Sequence, residues 1–533
     1  MRRRMTLTSR SMILLAVLLG WMQTSVDGAH PNFVVIYADD LGYGDVLCYN
    51  PTRGKIPTPH IDRLADEGMR FTDAHSSSAV CSPSRYTLLT GRYHWRTRLQ
   101  SGIVGLWEPP VITPNRMTIG KLAQQQGYQT ACVGKWHLGW NWPIGAEDKK
   151  LFLTGGYGGT KDITATDEHR AAWAKTFSQV IPGGPTAVGF DEYFGTDVPN
   201  WPPYCFIEND RTIGVPSEFA SLELFRHKNL ASVQGPAIPN WKLEPTLPAL
   251  GDRAVEFLQR SAKDTKPFLL YMPLTSPHTP LSVNDSWKGK SKLAKDGSSS
   301  GDYADLVMET DAVVGRVLTA LEEAGEAENT LVIFTSDNGC APYIGVAELE
   351  AQGHFPSGPL RGYKADVWEG GHRVPFIVRW PGKIKPNSQS GHLIHQADLL
   401  ATLAAIFETK LPDNAGEDSF SLLPLLLGSD DPVRSHAVSC SSKGLPSIRS
   451  DNWKFIPGPG SGGWAKGGTE LPLQLFNLQD DLGETTNLAN KETDRVKAML
   501  DQLEHLISQG RSTPGPTQEN DVQVVRYPRD TAK

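Results

Sequence analysis

The stretch Asn32-Phe33-Val34-Val35-Ile36-Tyr37-Ala38 is apolar almost throughout and ends abruptly in Asp39-Asp40. A short apolar run of this kind is typical of a strand buried on both faces of a parallel sheet. Three later runs repeat the pattern, because each short apolar segment is soon followed by polar side chains. They are residues 130–133 before Lys135 and His137, residues 267–272 before His278, and residues 330–335 before Asp337-Asn338.

Helical patterns alternate with these predicted strands. Helices are predicted over residues 61–68, 118–126 and 250–263, and residues 303–321 carry one apolar stripe of a longer helix. This alternation predicts right-handed βαβ units and a large, mostly parallel sheet flanked by helices. Ligands of such sheets bind beyond the carboxyl ends of the strands. We therefore expect the polar residues that follow the four strands to meet at one edge.

The length and composition predict two domains. A chain of 533 residues exceeds the roughly 250–300 residues that one core usually supports. Beyond residue 410 the sequence becomes turn-rich, and residues 447–456 and 473–478 predict strands of a small antiparallel sheet covered by a helix over residues 496–507. We therefore expect a catalytic domain over residues 29–410 and a smaller C-terminal domain with an extended tail over residues 411–533.

The N-terminus has the pattern of a secretory signal peptide. Arginines at positions 2, 3, 4 and 10 precede an apolar run from Met12 to Met22, which is too short for a comfortable membrane span. We expect residues 1–28 to be removed, although an N-terminal anchor is the alternative. The mature protein is then exported to a periplasm, the extracellular space or a secretory lumen, with no stable membrane span.

Charge and cysteine content limit the function classes. The net charge of −7, without a basic stretch interleaved with aromatics, argues against a nucleic-acid partner. Export permits disulfides among the six cysteines. If Cys81 is reserved for chemistry, at least one of the remaining five is unpaired; these are Cys48, Cys132, Cys205, Cys340 and Cys440.

Residues 79–92, Ala-Val-Cys-Ser-Pro-Ser-Arg-Tyr-Thr-Leu-Leu-Thr-Gly-Arg, hold a candidate nucleophile. Pro83 fits the first turn of a helix, and the spacing places Cys81 and Arg85 on one helical face. An anion could bind between the helix N-terminus and the Arg85 guanidinium. The alternative is that Cys81 is simply a small buried apolar side chain.

The predicted strand ends also carry a candidate metal site. The adjacent carboxylates of Asp39 and Asp40 repel each other unless a cation lies between them, and Asp337 with Asn338 would add oxygen ligands. All-oxygen ligation favours calcium or magnesium over zinc. One such pair alone is more typical of a cap or a solvated turn, whereas two pairs at strand ends favour a metal site.

Five basic or imidazole side chains are candidate anion contacts. Each of them taken alone has a plain alternative, since most lysines and arginines are solvated and most histidines are structural. Taken together they indicate an anion-binding site, because they accompany the acidic pairs and the cysteine. They are Arg85, Lys135, His137, His278 and Lys364.

Two motifs resemble the signatures of the sulfatases, which belong to the alkaline phosphatase-like superfamily. Residues 79–92 resemble the first signature and residues 127–137 the second; the similarity spans residues 31–410 and includes two C-terminal segments, 475–478 and 484–488. The resemblance implies that a formylglycine-generating enzyme oxidises Cys81 to formylglycine, whose hydrate attacks sulfate esters. The surroundings of the first motif are similar to arylsulfatase-like and N-acetylgalactosamine-6-sulfatase-like members.

The same resemblance implies a role for each candidate residue. Asp39, Asp40, Asp337, Asn338 and the modified Cys81 would bind calcium, with magnesium possible. Arg85 would hold the hydrate, Lys135 and Lys364 the sulfate oxygens, His278 the ester oxygen, and His137 the second hydroxyl of the hydrate; Lys364 rests on a looser motif, residues 362–375.

The resemblance implies a sulfated carbohydrate or aryl sulfate substrate. Two aromatic stretches, residues 140–143 and 200–204, could stack on sugar rings or be structural. A phosphate or phosphonate monoester hydrolase of the same superfamily is the nearest alternative. A non-catalytic glycan-binding protein is the other, if Cys81 is unmodified.

Overall fold

A ten-stranded sheet runs through the centre of the protein. The computed structural model describes residues 31–152, 162–225, 231–294, 297–467 and 471–527, and the predicted signal peptide lies outside them. The strands of this sheet are β1 (Asn32–Ala38), β2 (Met69–Phe71), β4 (Gln129–Lys135), β5 (Glu192–Thr196), β6 (Ile207–Glu208), β7 (Arg211–Thr212), β10 (Phe268–Pro273), β11 (Thr330–Ser336), β12 (Phe376–Arg379) and β13 (Ser388–Ser390).

The strand order places the four strands predicted from sequence side by side. It is β13-β2-β12-β11-β1-β10-β4-β5-β6-β7. The strands from β11 to β5 are mutually parallel, whereas antiparallel pairs occur on both sides of them. The expected mostly parallel α/β sheet is confirmed, and the carboxyl ends of β11, β1, β10 and β4 meet at one edge.

Helices cover both faces of this sheet. Alternate residues of β1 point to opposite faces: Val35 and Tyr37 belong to one apolar core, and Val34 and Ile36 to the other. The first core includes α2, α3 and α9, and the second α1, α5 and α6. The helices are α1 (Pro59–Asp66), α2 (Cys81–Thr90), α3 (Ile119–Gln125), α4 (Asp167–Phe177), α5 (Thr246–Ser261), α6 (Ser299–Glu323), α7 (Val346–Ala351), α8 (Glu369–His372), α9 (Asp398–Ile406), α10 (Leu423–Leu426) and α11 (Thr493–Gln509).

The C-terminal region contains the predicted antiparallel sheet and its helix. Residues 447–456 form two strands rather than one, because the chain turns at Asp451, whose φ is 49°. The first strand of the sheet had not been predicted. Helix α11 covers one face of the sheet, and its Leu503 belongs to the same buried apolar cluster as Phe455. The strands are β15 (His436–Cys440), β16 (Pro446–Ser450), β17 (Trp453–Ile456) and β18 (Gln474–Asn477); the division at residue 411 stays a prediction.

The remaining strands form two small pairs, β3 (Ala74–His75) with β14 (Ile394–His395) and β8 (Glu218–Phe219) with β9 (Pro236–Ala237). All six cysteines are free thiols. Within the described ranges, no helix has both the length and the apolar character to cross a membrane.

Candidate active site

The candidate site lies where β1 and β11 end. The register pairs Ala38 with Ser336, so the acidic residues that follow these two strands are neighbours. The backbone N–H of Asp40 donates to Asp337 Oδ1 at 3.1 Å, and Asp40 itself has a φ of 63°. Parallel strand pairing thus brings together two acidic pairs that are almost 300 residues apart in sequence.

Helix α2 begins at this edge with Cys81. Pro83 lies in its first turn, and Gly91, with a φ of 65°, ends the helix. Cys81 is 2% exposed. Burial raises the pKa of the Cys81 thiol to about 12, although the charges of Lys135 and Lys364 act in the opposite direction. The unmodified side chain is therefore a protonated thiol at neutral pH, which is a poor nucleophile.

Three buried carboxylates around Cys81 pair with three buried cations. The three negative and three positive charges of these side chains balance, and all three ion pairs are buried away from water. Arg85 also donates to the Lys135 carbonyl at 3.2 Å, which fixes the guanidinium between two strand ends. The pairs are Lys135 Nζ with Asp39 Oδ2 at 2.7 Å, Lys364 Nζ with Asp40 Oδ2 at 2.6 Å, and Arg85 Nη2 with Asp337 Oδ2 at 2.8 Å.

Two oxygens of this site have no hydrogen-bond donor: Asn338 Oδ1 and Asp39 Oδ1, the latter lying 3.4 Å from Arg85 Nη2. The Asn338 amide N–H donates to Asp40 Oδ1 at 2.8 Å, which leaves its oxygen free. Burial and the neighbouring Asp39 charge raise the pKa of Asp337 to about 7, although the Arg85 and Lys135 charges act in the opposite direction. Ligand atoms of Asp39, Asp40, Cys81 and His278 lie within 4.8 Å of one another. The carboxylate oxygens of Asp39 and Asp40 and the unpartnered Asn338 oxygen fit a hard divalent cation.

His137 presents one free ring nitrogen. Nε2 lies 3.2 Å from the Val104 carbonyl oxygen, which can only accept, so Nε2 carries the proton. Nδ1 has no partner. Burial, together with the Lys135 and Arg85 charges, holds the pKa of His137 well below its usual value. The neutral ring therefore offers the lone pair of Nδ1.

His278 follows β10 and faces Asp40. Its Nδ1–H donates to the Thr279 carbonyl, and its Nε2 lies 3.5 Å from Asp40 Oδ2. Burial and the Lys364 charge lower the pKa of His278 to about 4. In this arrangement Nε2 is the nitrogen that points toward the carboxylates and Cys81.

The position of Lys364 depends on a tight turn, which its loose sequence motif did not define. Its backbone N–H donates to the Cys340 carbonyl at 2.9 Å. A Cβ on Gly370 would lie 2.1 Å from the Gly362 carbonyl oxygen, so glycine lets α8 pack against this turn. The turn brings Lys364 Nζ to 3.9 Å from Cys81 Sγ.

The structure brings the sequence-predicted site residues together at one strand edge, and their roles stay predictions. Sequence reasoning missed Tyr303 near the start of α6, whose hydroxyl contacts the Asp40 carbonyl at 3.3 Å. No motif marks it, since it belongs to a regular apolar stripe. Of the two alternatives for the aromatic stretches, the structural one holds for Trp140 and Tyr204, which are buried at 1% and 2% exposure.

Comparison with known proteins identifies the family. Residues 31–409 match the family model described as Sulfatase. The chain is 33% identical over 492 residues to the N-acetylgalactosamine-6-O-sulfatase of Bacteroides thetaiotaomicron, covering 89% of this chain and 92% of that protein. It is 30% identical over 514 residues to human arylsulfatase A, covering 92% and 90%.

A solved structure agrees with these matches. It comes from work on glycosaminoglycan metabolism by Bacteroides thetaiotaomicron, and it superposes with a TM-score of 0.75 at 29% identity, covering 90% of this chain and 99% of that one. The family match extends over the strand ends that carry the acidic pairs and over α2 with Cys81. The chain therefore belongs to the sulfatase family of sulfuric ester hydrolases.

Proposed function

We propose that this chain is an exported sulfatase that hydrolyses sulfate monoesters of a carbohydrate. A formylglycine formed at Cys81 and a divalent cation, calcium or magnesium, complete its site. The observation that carries the proposal is the surroundings of Cys81: a buried thiol with a pKa of about 12, ringed by paired acids and bases that leave two acceptor oxygens unpartnered. A thiol in this state needs modification to become reactive.

Asp39, Asp40, Asp337 and Asn338 would hold the cation, together with the modified residue at position 81. The cation would stabilise negative charge on the sulfuryl oxygens and on the nucleophile. Because the six charged side chains already balance, a bound divalent cation leaves the site positive. That excess charge suits a sulfate ester, which is an anion.

The residues around Cys81 have separate tasks in this proposal. The hydrate of formylglycine supplies one hydroxyl for attack on sulfur and a second through which sulfate is expelled. Lys135 and Lys364 bind the sulfuryl oxygens, and Arg85 orients the residue at position 81. His137 takes a proton through its free Nδ1. His278 Nε2, or Lys364, faces the oxygen of the departing alcohol.

The substrate class follows from the relatives. One protein to which the chain is 33% identical is named N-acetylgalactosamine-6-O-sulfatase. We therefore take a 6-O-sulfated N-acetylgalactosamine saccharide as the first substrate to test, with 4-O-sulfated and aryl sulfates beside it.

A desulfation screen over defined sulfated saccharides tests the proposal. We expect sulfate release from at least one saccharide, and faster turnover of an aryl sulfate than of the matched aryl phosphate. A strong preference for phosphate would replace the proposal with a phosphate or phosphonate hydrolase. Mass spectrometry of the Cys81 peptide from exported protein should find formylglycine; an unmodified thiol there would favour a non-catalytic glycan-binding protein.

A further inference from the structure

Two aromatic rings are exposed together on this protein. Tyr343 is 42% exposed and Trp464 is 46% exposed, and among the described residues no other aromatic side chain is classed as exposed. Their ring centroids are 5.8 Å apart with the planes inclined by 42°. Because aromatic surface is usually buried, a paired exposure of this kind indicates a binding surface.

Tyr343 connects this pair to the candidate active site. It lies five residues beyond Asn338 along the chain, and its hydroxyl end lies close to the Thr279 side chain and to Lys364. Thr279 is 5% exposed, and its side chain forms a hydrogen bond with the Tyr343 hydroxyl. This contact fixes the Tyr343 ring beside the candidate active site.

Trp464 is held against the turn that carries Lys364. The backbone N–H groups of Trp464 and Ala465 both donate to Asp366 Oδ1 at 3.0 Å. A Cβ on Gly463 would lie 2.2 Å from the Ala365 carbonyl oxygen, so the two loops are in close backbone contact. The backbone that carries Trp464 is therefore fixed beside Lys364, while the indole itself remains exposed.

We propose that Tyr343 and Trp464 form a platform on which the sugar ring that carries the sulfate stacks. This inference rests on the proposed carbohydrate sulfatase function and names the residues that recognise the sugar. The cations bind the charged sulfate, but they cannot recognise an uncharged ring. The C–H faces of a pyranose match an apolar aromatic surface.

The platform also gives the C-terminal region a part in substrate selection. Trp464 comes from the segment between β17 and β18, whereas the groups proposed for chemistry come from residues before 365. A change in this segment would alter which saccharide is bound while leaving the chemistry unchanged.

The test compares Trp464→Ala with Trp464→Phe in the formylglycine-bearing enzyme. With a 6-O-sulfated N-acetylgalactosamine saccharide, we expect Trp464→Ala to raise KM by about tenfold, equivalent to about 1.4 kcal/mol. Trp464→Phe keeps a ring and should recover most of that loss. The inhibition constant of inorganic sulfate, which has no ring, should stay the same in both variants.

Leu427→Ala provides the matched control, because Leu427 is an exposed apolar side chain, at 56%, in another part of the chain. It should leave KM unchanged. If the wild-type enzyme desulfates the saccharide and Trp464→Ala has the same KM, the platform is wrong and the sulfatase proposal stands. If the wild-type enzyme releases sulfate from no saccharide, the proposed function itself fails.

Discussion

The protein contains two buried clusters with the same inventory of charges. The active cluster is the set of three carboxylates and three cations around Cys81 described above. The second, which we name the junction cluster, lies between α8 and the C-terminal sheet. It consists of the carboxylates Asp73, Glu369 and Glu484, the cations Arg373, Arg449 and Lys454, and the imidazoles of His75 and His372.

The junction cluster uses its metal-ligating atoms internally. His75, Glu369 and His372 have the residue types and spacing of a metal site. However, the two histidines share a hydrogen bond between their Nδ1 atoms at 3.0 Å, and His75 Nε2 donates to Asp73 Oδ1 at 2.8 Å. Lys454 Nζ lies 3.0 Å from Glu369 Oε1 and 3.2 Å from His372 Nε2. Each ligating atom of this set is therefore engaged by another side chain of the cluster.

The unpartnered atoms distinguish the two clusters. In the active cluster and beside it they are acceptors: Asp39 Oδ1, Asn338 Oδ1 and His137 Nδ1. In the junction cluster they include the donor Arg449 Nε and Glu484 Oε1, which still lies 2.9 Å from Lys454 Nζ. The active cluster thus presents only unpartnered acceptors, which suit a cation, whereas the junction cluster also presents an unpartnered donor. We infer that the first serves chemistry and the second joins two parts of the fold.

The largest expected effect is the loss of activity in Cys81→Ala. The substitution removes the proposed nucleophile, so turnover should fall by at least about 10⁴-fold, while the melting temperature should change little because alanine fits the same buried position. Cys205→Ala is the matched control, since Cys205 is also a buried free cysteine and should leave turnover unchanged. Sulfate release and thermal unfolding measure the two effects; an active Cys81→Ala enzyme would refute the nucleophile.

The second-largest expected effect is on metal binding, which substitutions in the two clusters should affect differently. Asp337→Asn removes a proposed ligand, and we expect metal affinity to fall by at least about 100-fold, the upper cost of losing an outer-shell partner. Glu369→Gln, in the junction cluster, should keep the full metal content. Elemental analysis of the purified proteins provides the measurement, and thorough chelation should suppress turnover of the wild-type enzyme. Equal metal content in both variants would remove the basis for distinguishing the clusters.

The sequence predicted the active cluster because its acidic members follow regular strands. An apolar run such as Asn32–Ala38 fixes both the strand and the edge at which Asp39 and Asp40 must lie. Cys81 was placed by its own motif. These signals are local, and the parallel topology then converts them into one site.

The junction cluster could not be predicted in this way. Its members come from short or irregular segments: the two-residue strand β3, the four-residue helix α8 and the loop after β18. Strand β15, which brings the C-terminal sheet to this region, had also been missed. The contacts within the junction cluster depend on how the C-terminal sheet packs against the rest of the fold. No periodicity in the sequence predicts that packing. The exposed pair Tyr343 and Trp464 was missed for the same reason.

Glu369→Gln, which should keep its metal, should nevertheless lower the free energy of unfolding. Glu369→Gln removes a fully buried charge that pairs with Lys454, Arg373 and Arg449. Breaking a buried ion network of this kind costs about 3–5 kcal/mol of unfolding free energy, which urea denaturation would measure. Asp501→Asn breaks the exposed pair with Lys497 on α11 and should cause no measurable change. If Glu369→Gln unfolded at the same urea concentration as the unmodified protein, the structural role would be wrong.

The smallest expected effect is on the pH dependence of stability. Burial lowers the pKa of both His75 and His372, although neighbouring carboxylates act in the opposite direction. Unfolded histidines take up protons below about pH 6.5, whereas these two take up theirs only at lower pH in the folded state. The unfolded state then binds more protons, so the unfolding free energy falls as pH is lowered below 6.5, by up to about 1.4 kcal/mol per pH unit for each histidine.

Replacing one of the two rings should reduce that dependence. His75→Gln keeps a polar side chain but does not titrate, so its unfolding free energy should fall less steeply between pH 6.5 and 5 than that of the unmodified protein. Above pH 7.5 the two slopes should coincide, because every histidine concerned is neutral in both states. Urea denaturation at a series of pH values provides both slopes. Identical slopes below pH 6.5 would mean that His75 is already protonated in the folded protein.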